Sequence, residues 1–340
     1  MVMLFVLDVR LSMEWRPPVP SALGTGADTG EISAVEPTAF SWSLERIHAP
    51  RAWEKTQGDE HVVVAVVDSG IDWTHPALLD RIWTNPGEIP DNGLDDDDNG
   101  YIDDVHGWDF IDQDADSLQG SKAQAHGTHV AGVIAARIDD SGISGVAPRV
   151  KLMDLRVLDG AKRLKGSEDL IQAIRYAVEN GAKVINLSIQ LDAPASASLK
   201  QAVAEAVGKG VTLVAAAGNN FNRVQAPANL EDVIAVAATD SDDRLAYFSS
   251  YGPEVEVAAP GVEIATTTPG GGFGQVSGTS FAAAHVSGTV ALLVSLNPNL
   301  PVSQIRQRLG QSAHDIGKVG RDDWFGHGLV DAAELVNAGP

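Results

Sequence analysis

The sequence predicts a three-layer α/β/α domain built on a mainly parallel central sheet. Short segments rich in Val, Ile and Ala alternate with stretches of helical pattern, such as 167–180 and 198–209. Near-continuous apolar strands are typical of a parallel sheet covered on both faces, because the crossover helices shield both faces from water. The predicted strands lie at 61–67, 150–158, 183–189, 211–217 and 233–238.

The first 40 residues differ in composition from the rest of the chain. They are rich in Pro, Gly and Ala and show no sustained periodicity, so we expect residues 1–40 to form an N-terminal extension or linker and residues 41–340 to form the domain. The apolar start lacks a basic segment and a clear cleavage site, and Asp8 interrupts it, so no signal peptide is predicted. A pro-segment remnant, an inhibitory extension and a cloning artefact are all open as origins of residues 1–40.

The composition excludes several classes of function. The 340 residues include 24 Lys and Arg against 46 Asp and Glu, which gives a formal net charge of -22. Such an acidic surface repels phosphate backbones, so we expect no nucleic-acid partner. No apolar run approaches the roughly 20 residues that a membrane-spanning helix needs, so we expect no membrane association. The chain has no cysteine, which excludes disulfides, thiolate metal sites and a cysteine nucleophile.

Three motifs place reactive side chains at predicted strand ends or helix starts. Asp68 follows the first strand in VAVVDSGID, His126 lies at a helix entry in AHGTHVAGVIAA, and Ser280 begins a long apolar helix in SGTSFAAAHVSG. Ligand sites of parallel sheets lie beyond the carboxyl ends of the strands. A serine that attacks a peptide needs a base for its proton and an acidic partner that orients the base. Taken singly, each residue could instead be a helix cap or a turn residue.

The three motifs, in the order Asp, His, Ser, resemble those of the subtilases, the subtilisin family of serine proteases. The resemblance runs from about residue 42 to residue 337, nearly the whole predicted domain. The linking stretches that carry it are GVAP (145–148), INLS (185–188), AAAGN (215–219) and FSSYGPEVEVAAPG (248–261).

The resemblance implies a subtilisin-like fold with residues 41–340 as the peptidase catalytic domain. It also implies endopeptidase activity on proteins or peptides through an acyl-enzyme. Ser280 is the implied nucleophile, His126 the general base and Asp68 the group that orients the base. Asn219, in the AAAGN block, is the implied amide donor to the oxyanion, together with the backbone N–H of Ser280. Read alone, Asn219 could also be a loop residue that stabilises a turn after Gly218.

The chain departs from the family in the segment that binds substrate. It has SIQL at 188–191, where the family usually has SLGG, so Gln190 brings a side chain to the pocket for the residue before the scissile bond. We expect a preference for smaller or polar residues there, unless Gln190 turns outward to solvent. Phe281 and Ala284 also replace the usual Met and Pro, and Phe281 could crowd the nucleophile. The implied substrate-binding residues are Ser188, Ile189, Gln190, Gly166, Ala217 and Gly218.

The stretch DNGLDDDDNGYIDD (91–104) predicts a calcium site. Its carboxylate and amide oxygens alternate as in an EF-hand-like loop, and hard oxygen ligands of this kind suit Ca²⁺. The twelfth position is His106 rather than Glu, so any further ligands must come from elsewhere. A solvated acidic loop is the alternative, although charges so dense repel one another without a cation. The predicted ligands are Asp95, Asp97, Asn99, Tyr101 and Asp103, with Gly100 at the turn.

Two other stretches have spacings that a metal site can use. Asp139, in ARIDDSGIS (136–144), matches a loop that often binds calcium in the family, but Ala77 replaces a carboxylate that usually completes that site. His126 and His129 have a helical spacing that zinc can use, yet no third ligand is near in the sequence, so zinc is not predicted.

Two rival functions follow from the departures. One is a calcium-stabilised pseudoprotease that binds without turnover, and the other is a processing protease with a narrow range of substrates. We expect a monomer. We also expect an extracellular location, as for most subtilases, with an intracellular one as the alternative.

Overall fold

The computed structural model describes residues 42–117, 125–139, 141, 143–159, 164 and 166–338. The predicted extension at residues 1–40 lies outside the described residues. Within them, seven strands form one parallel sheet in the order β2-β3-β1-β4-β5-β6-β7, which confirms the predicted fold class. The strands are β1 (Val63–Asp68), β2 (Gly107–Asp109), β3 (Lys151–Arg156), β4 (Val184–Leu187), β5 (Thr212–Ala216), β6 (Val233–Thr239) and β7 (Val255–Pro260).

Helices cover both faces of the sheet. A separate antiparallel hairpin, β8 (Ile264–Thr268) and β9 (Gly272–Val276), precedes the long helix α6. A short 3-10 helix lies at Leu79–Arg81. The helices are α1 (Trp42–Arg46), α2 (Ala49–Trp53), α3 (Ala125–Ala135), α4 (Ser167–Glu179), α5 (Ala197–Gly208), α6 (Thr279–Leu296), α7 (Val302–Ser312) and α8 (Ala332–Asn337).

The side chains of β1 point alternately to the two faces of the sheet and contribute to two separate layers of the apolar core. Val64 and Val66 pack with residues of α3 and α6, whereas Val63, Ala65 and Val67 pack with residues of α4 and α5 on the opposite face. Successive side chains of a strand point to opposite faces, so a strand buried on both faces must be apolar at every position. This explains why the predicted strands have no polar–apolar alternation.

Helix α6 is the central helix of the core. Its 18 residues have a mean hydropathy of 1.5 and are long enough to cross a membrane, but 89% of that stretch is buried inside the domain. Small residues bring its backbone close to neighbouring elements: a Cβ at Gly288 would lie 2.7 Å from Cβ of Val146. The helix ends before Pro298, as the sequence predicts.

Candidate active site

The predicted catalytic residues converge at the carboxyl edge of the sheet. Asp68 is the last residue of β1, while Ser188 and Asn219 follow the ends of the neighbouring strands β4 and β5. His126 and Ser280 lie in the first turns of α3 and α6. Side chains separated widely in sequence are therefore brought to one edge, where parallel α/β sheets bind ligands.

Asp68 and His126 form a buried hydrogen-bonded pair. Nδ1 of His126 lies 2.8 Å from Oδ1 and 3.0 Å from Oδ2 of Asp68. Asp68 is fully buried and His126 is 8% exposed. An ionised carboxylate can only accept hydrogen bonds, so Nδ1 carries the proton and donates it to Asp68. This tautomer leaves Nε2 of His126 able to accept a proton.

Ser280 is the second residue of α6 and is 5% exposed. Its carbonyl accepts a hydrogen bond of 3.1 Å from the hydroxyl of Ser188, which ties the helix start to the end of β4. N–H groups in the first turn of a helix lack intrahelical acceptors, and the helix dipole there favours negative charge. The surroundings of Ser280 therefore suit an anion that forms beside it.

Phe281 packs away from solvent beside the histidines of α3. Its ring is 2% exposed, and its centroid lies 5.6 Å from that of His126 and 6.3 Å from that of His129. Ala284 is fully buried. The two departures from the family motif are accommodated in the core between α3 and α6, and Phe281 forms one side of the packing around His126.

The amide of Asn219 is held in one orientation by Thr279. Its Oδ1 accepts hydrogen bonds from the backbone N–H and from the hydroxyl of Thr279, both at 2.9 Å. The same hydroxyl oxygen accepts the N–H of Gly218 at 3.1 Å. Because Oδ1 is engaged on one side, Nδ2 faces the other way, and it lies 3.5 Å from the position of a Cβ at Gly278. The donor Nδ2 thus lies beside the chain segment that leads into Ser280.

The segment after β4 contains Gln190 in a position that closes space beside Gly218. Nε2 of Gln190 donates to Oε1 of Gln225, and a Cβ at Gly218 would lie 2.6 Å from Oε1 of Gln190. The backbone N–H of Leu191 donates to the carbonyl of Ala226 at 2.8 Å, which holds the two segments side by side. The side chain of Gln190 therefore bridges two chain segments instead of extending freely into solvent.

The other predicted substrate residues occupy different environments. Ser188, Ile189 and Ala217 are buried near the carboxyl edge of the sheet. Gly166 is an exposed residue that precedes α4, and apart from its chain neighbours no heavy atom of the described residues lies within 4 Å of a Cβ built on it. Its role in binding substrate stays a prediction.

The acidic loop brings three carboxylates together. Oxygens of Glu88, Asp95 and Asp97 lie within 4.8 Å of one another. Glu88 is 8% exposed and its Oε1 accepts the N–H of Asp96. Its buried Oε2 has no hydrogen-bond partner among the residues that the structure describes. Desolvation and the nearby carboxylates of Asp104 and Asp97 raise the pKa of Glu88. A buried, unpartnered carboxylate oxygen beside two more carboxylates has the chemistry of a cation site.

The remaining predicted ligands of this loop take part in its hydrogen bonds. Oδ1 of Asn99 accepts the N–H of Tyr101 at 2.8 Å, and Nδ2 of Asn99 donates to Asp97 and Asp104. The carboxylate of Asp103 accepts the backbone N–H groups of residues 92 and 93. The calcium roles of Asn99, Tyr101 and Asp103 stay predictions.

Asp139, the predicted ligand of a second calcium site, is engaged with a cation of the chain. Its Oδ2 accepts from Nε of Arg137 at 3.0 Å and its Oδ1 accepts from the N–H of Ser141 at 2.8 Å. Ala77 is buried, 1% exposed, and its methyl side chain offers no oxygen to a metal. The ion pair with Arg137 competes with any metal at Asp139, and the role of Asp139 stays a prediction.

Sequence reasoning missed three side chains that shape these sites. Thr279 was visible in the GTS motif, but its hydrogen bonds to the Asn219 segment depend on folding. Glu88 lies outside the Asp-rich stretch, and Gln225 lies in a loop without a motif. For Glu88, the one signal in the sequence was its position a few residues ahead of Asp95 and Asp97, which is close enough for it to join a shared metal site.

The fold, the buried Asp–His pair and the serine at a helix start define the class of α/β serine hydrolases. Residues 59–328 match the subtilase family. The chain is 38% identical over 301 residues to a thermophilic serine proteinase of Bacillus sp. (strain AK1), which covers 87% of this chain and 67% of that protein.

Two further relatives are matched over almost their whole length. Thermitase of Thermoactinomyces vulgaris is 36% identical over 295 residues, which covers 86% of this chain and 94% of thermitase. Subtilisin Savinase of Lederbergia lenta is 36% identical over 292 residues, which covers 86% of this chain and 96% of that protein. The chain belongs to the subtilase family and is a serine-type endopeptidase with protein substrates.

Proposed function

We propose that the protein hydrolyses peptide bonds through an acyl-enzyme formed on Ser280. The observation that carries the proposal is the buried hydrogen bond of 2.8 Å between His126 and Asp68, at the same edge as Ser280. Nε2 of His126 takes the proton as Oγ of Ser280 attacks the substrate carbonyl carbon, and Asp68 stabilises the imidazolium. The same proton then passes to the leaving amine, and a water repeats the sequence to release the acid.

The oxyanion of each tetrahedral intermediate is proposed to accept hydrogen bonds from Nδ2 of Asn219 and from the backbone N–H of Ser280. The orientation of the Asn219 amide supports this role, because Thr279 engages Oδ1 and leaves Nδ2 as the available donor. Donors fixed before the reaction require no reorganisation when charge develops. This preorganisation favours the transition state over the bound substrate.

The pseudoprotease remains the rival from another class of function. A fluorophosphonate probe separates the two, because covalent labelling requires a nucleophilic serine assisted by a base. We expect labelling that is lost in Ser280→Ala. An intact, folded protein that the probe does not label would favour the pseudoprotease.

Gln190 and Gln225 are proposed to narrow the pocket for the residue before the scissile bond. The hydrogen bond between their side chains, next to Gly218, supports this proposal. We expect Gln190→Gly to raise kcat/KM for Phe or Leu substrates relative to Ala substrates, because it removes both volume and polar groups from an apolar contact. Differences in such pockets are worth about 1–3 kcal/mol, so a relative shift of roughly tenfold is expected. Peptides that vary only at this position provide the measurement.

Gln225→Ala is the companion variant for this prediction. It removes the partner of Gln190 but leaves Gln190 in place, so the side chain of Gln190 gains freedom to move aside. We expect a shift in the same direction and smaller in size. Equal Phe-to-Ala ratios in all three proteins would assign specificity to other residues, and profiling on a peptide library would test the narrow processing protease at the same time.

A calcium ion is proposed to bind between Glu88, Asp95 and Asp97. The unpartnered, buried oxygen of Glu88 supports this proposal, since repulsion among the three carboxylates is relieved by a cation. The ion would stabilise the loop at 85–104. It has no proposed part in the chemistry.

Calcium is expected to raise the melting temperature and a chelator to lower it. Binding to the folded state alone stabilises by about 2.7 kcal/mol when free calcium is 100 times Kd, which corresponds to several degrees. Asp95→Asn with Asp97→Asn should remove most of the difference. Asp91→Asn with Asp98→Asn is the control, because both residues are exposed, lie in the same acidic stretch outside the cluster of Glu88, Asp95 and Asp97, and give the same change of charge.

Glu88→Gln makes the calcium test more specific, because its effect on the melting temperature should differ in sign between the calcium-free and the calcium-bound protein. Without calcium, the variant loses a repelling charge and should melt at a higher temperature than the wild type. With calcium, it loses a ligand and should gain less from the ion. A melting temperature that ignores both calcium and chelator in the wild type would refute the site.

The location and the role of residues 1–40 stay proposals. We propose an extracellular protease, as for most members of the family, with residues 41–340 as the catalytic domain. N-terminal sequencing of the active species would establish whether residues 1–40 are retained.

A further inference from the structure

A buried carboxyl group on β3 contacts the turn that follows the catalytic Asp68. Asp154 is 2% exposed, and its Oδ2 accepts the backbone N–H of Ile71 at 3.0 Å and the hydroxyl of Ser117. Its other oxygen, Oδ1, is buried and has no hydrogen-bond partner in the part of the chain described. No step of the proposed mechanism uses this group.

The turn at 69–71 has little freedom to move. Gly70 has a φ of 96°, and a Cβ there would lie 2.7 Å from the carbonyl oxygen of Ser117. On the other side, a Cβ at Gly127 would lie 2.3 Å from the carbonyl oxygen of Gly70. The N–H of Gly127 also donates to the hydroxyl of Ser69 at 3.1 Å. A displacement of the turn is therefore transmitted to both Asp68 and the first turn of α3, which carries His126.

The charges around Asp154 favour its neutral form. Burial, followed by the negative charges of Asp109 on β2 and Asp68 on β1, raises the pKa of Asp154 to about 7 against the hydrogen bonds from Ser117 and Ile71. Arg156, on the same strand, is paired with Asp109 and Asp112. His126 on α3 donates to Asp68, and the side chain of His106 bonds to the carbonyl of Trp83.

We propose that Asp154 is a positioning residue for the Asp68–His126 pair, because it fixes the 69–71 turn through Ile71 and Ser117. This inference rests on the proposed function, in which that pair transfers the proton. The carboxyl group touches neither substrate nor reacting atoms and acts through the turn. Its loss lets Asp68 and His126 move relative to Ser280.

The first test separates kcat from KM. Asp154→Ala removes the acceptor for Ile71 and Ser117 and should lower kcat by about tenfold or more, since small misplacements of reacting groups cost up to roughly 10²-fold. KM should change by less than about twofold, because the substrate segment at 188–191 is not touched. Asp154→Asn keeps an acceptor oxygen of the same shape and should restore most of kcat. Ser117→Ala, which removes one donor, should fall between them.

The second test uses the pH profile of kcat/KM. In the wild type, ionisation of Asp154 near pH 7 adds a negative charge close to Asp68, which stabilises the imidazolium form of His126. The acidic limb of the profile is therefore shifted to higher pH in the wild type. Asp154→Asn is neutral at every pH, so the midpoint of its acidic limb should lie lower. A residue that only fills space would leave this midpoint unchanged.

Stability against pH gives a third readout with a defined sign. The pKa of Asp154 is raised in the folded protein from its ordinary value of 3.8 to about 7. The protonated group therefore favours folding at low pH, and that contribution is lost as the pH rises through about 7. Relative to Asp154→Asn, the melting temperature of the wild type should fall between about pH 4 and pH 8.

Three results would overturn the proposal. The first is a folded Asp154→Ala with the kcat of the wild type, and the second is an Asn variant as impaired as the Ala variant with an unchanged pH midpoint. If Asp154→Ala does not fold, the test uses Ser117→Ala and Asp154→Asn instead. The third overturning result is then a Ser117→Ala variant with the kcat of the wild type, together with an Asp154→Asn variant whose pH midpoint of kcat/KM is unchanged. Fluorophosphonate labelling of the wild type tests Ser280 independently, so failure of the proposed function is recognised separately.

Discussion

Ser280→Ala is expected to lower kcat for peptide hydrolysis by roughly 10⁶-fold, the loss typical of removing the nucleophile from a triad of this kind. The variant keeps its fold because it loses a single oxygen at the start of α6, where Ala has a high helix propensity. Binding of substrate along 188–191 should persist, so KM should change little. Hydrolysis of a chromogenic peptide, with the melting temperature measured on the same sample, provides the test.

A matched serine in the same helix controls for this prediction. Ser295 lies in the last turns of α6, where its hydroxyl donates to the carbonyl of Ala291 at 2.7 Å. Ser295→Ala should retain the kcat and the fluorophosphonate labelling of the wild type. A Ser280→Ala variant with the kcat of the wild type would exclude Ser280 as the nucleophile and would refute the proposed serine-protease mechanism.

Asn219→Ala is expected to lower kcat by about 10²–10³-fold with little change in KM, because it removes one donor to the oxyanion. The loss falls on kcat since the full charge on the oxygen exists only in the transition state and the intermediate. Single-turnover kinetics with an ester and an amide substrate would show whether formation of the acyl-enzyme slows as expected.

Two variants separate the donor from its orientation. Asn219→Asp has nearly the same shape but presents an acceptor in place of Nδ2, so it should be at least as impaired as the Ala variant. Thr279→Val keeps Asn219 and removes the hydroxyl that bonds to Oδ1, so its loss should be smaller. An Asp variant with the kcat of the wild type would exclude Asn219 as a donor to the oxyanion.

The sequence predicted β1, β3, β4, β5 and β6 of the parallel sheet and missed β2 and β7, although both of these are buried as well. β1, β4, β5 and β6 consist mainly of Val, Ile, Leu and Ala, whereas β3 combines apolar residues with Lys151, Asp154 and Arg156. β2 is only three residues long, and its pairing with β3 depends on the close approach of Gly107, where a Cβ would lie 1.8 Å from the carbonyl oxygen of Asp154. Such a contact is decided by the folded chain, so no local pattern predicts it.

The residues of the candidate site also differ in whether the sequence predicts them. Asp68, His126 and Ser280 could be predicted because each lies in a motif at a strand end or a helix start, whereas the role predicted for Asn219 is implied by the resemblance to the subtilases. Asp154 is an acidic residue within an apolar strand, a conflict with local preference that was visible in the sequence but was not interpreted. Its hydrogen bonds join residues distant in sequence, such as Ile71, which lies 83 positions away.

The order of the chain also determines when the site can exist during synthesis. Asp68 and His126, 58 residues apart, meet once β1 and α3 pack together, but Ser280 arrives only with α6, after every strand of the sheet has been made. Because α6 also supplies much of one core layer, any nascent chain that ends before residue 279 lacks both Ser280, the proposed nucleophile, and the packing that holds its partners. With the proposed mechanism, a growing chain therefore gains proteolytic activity only after α6 has been made.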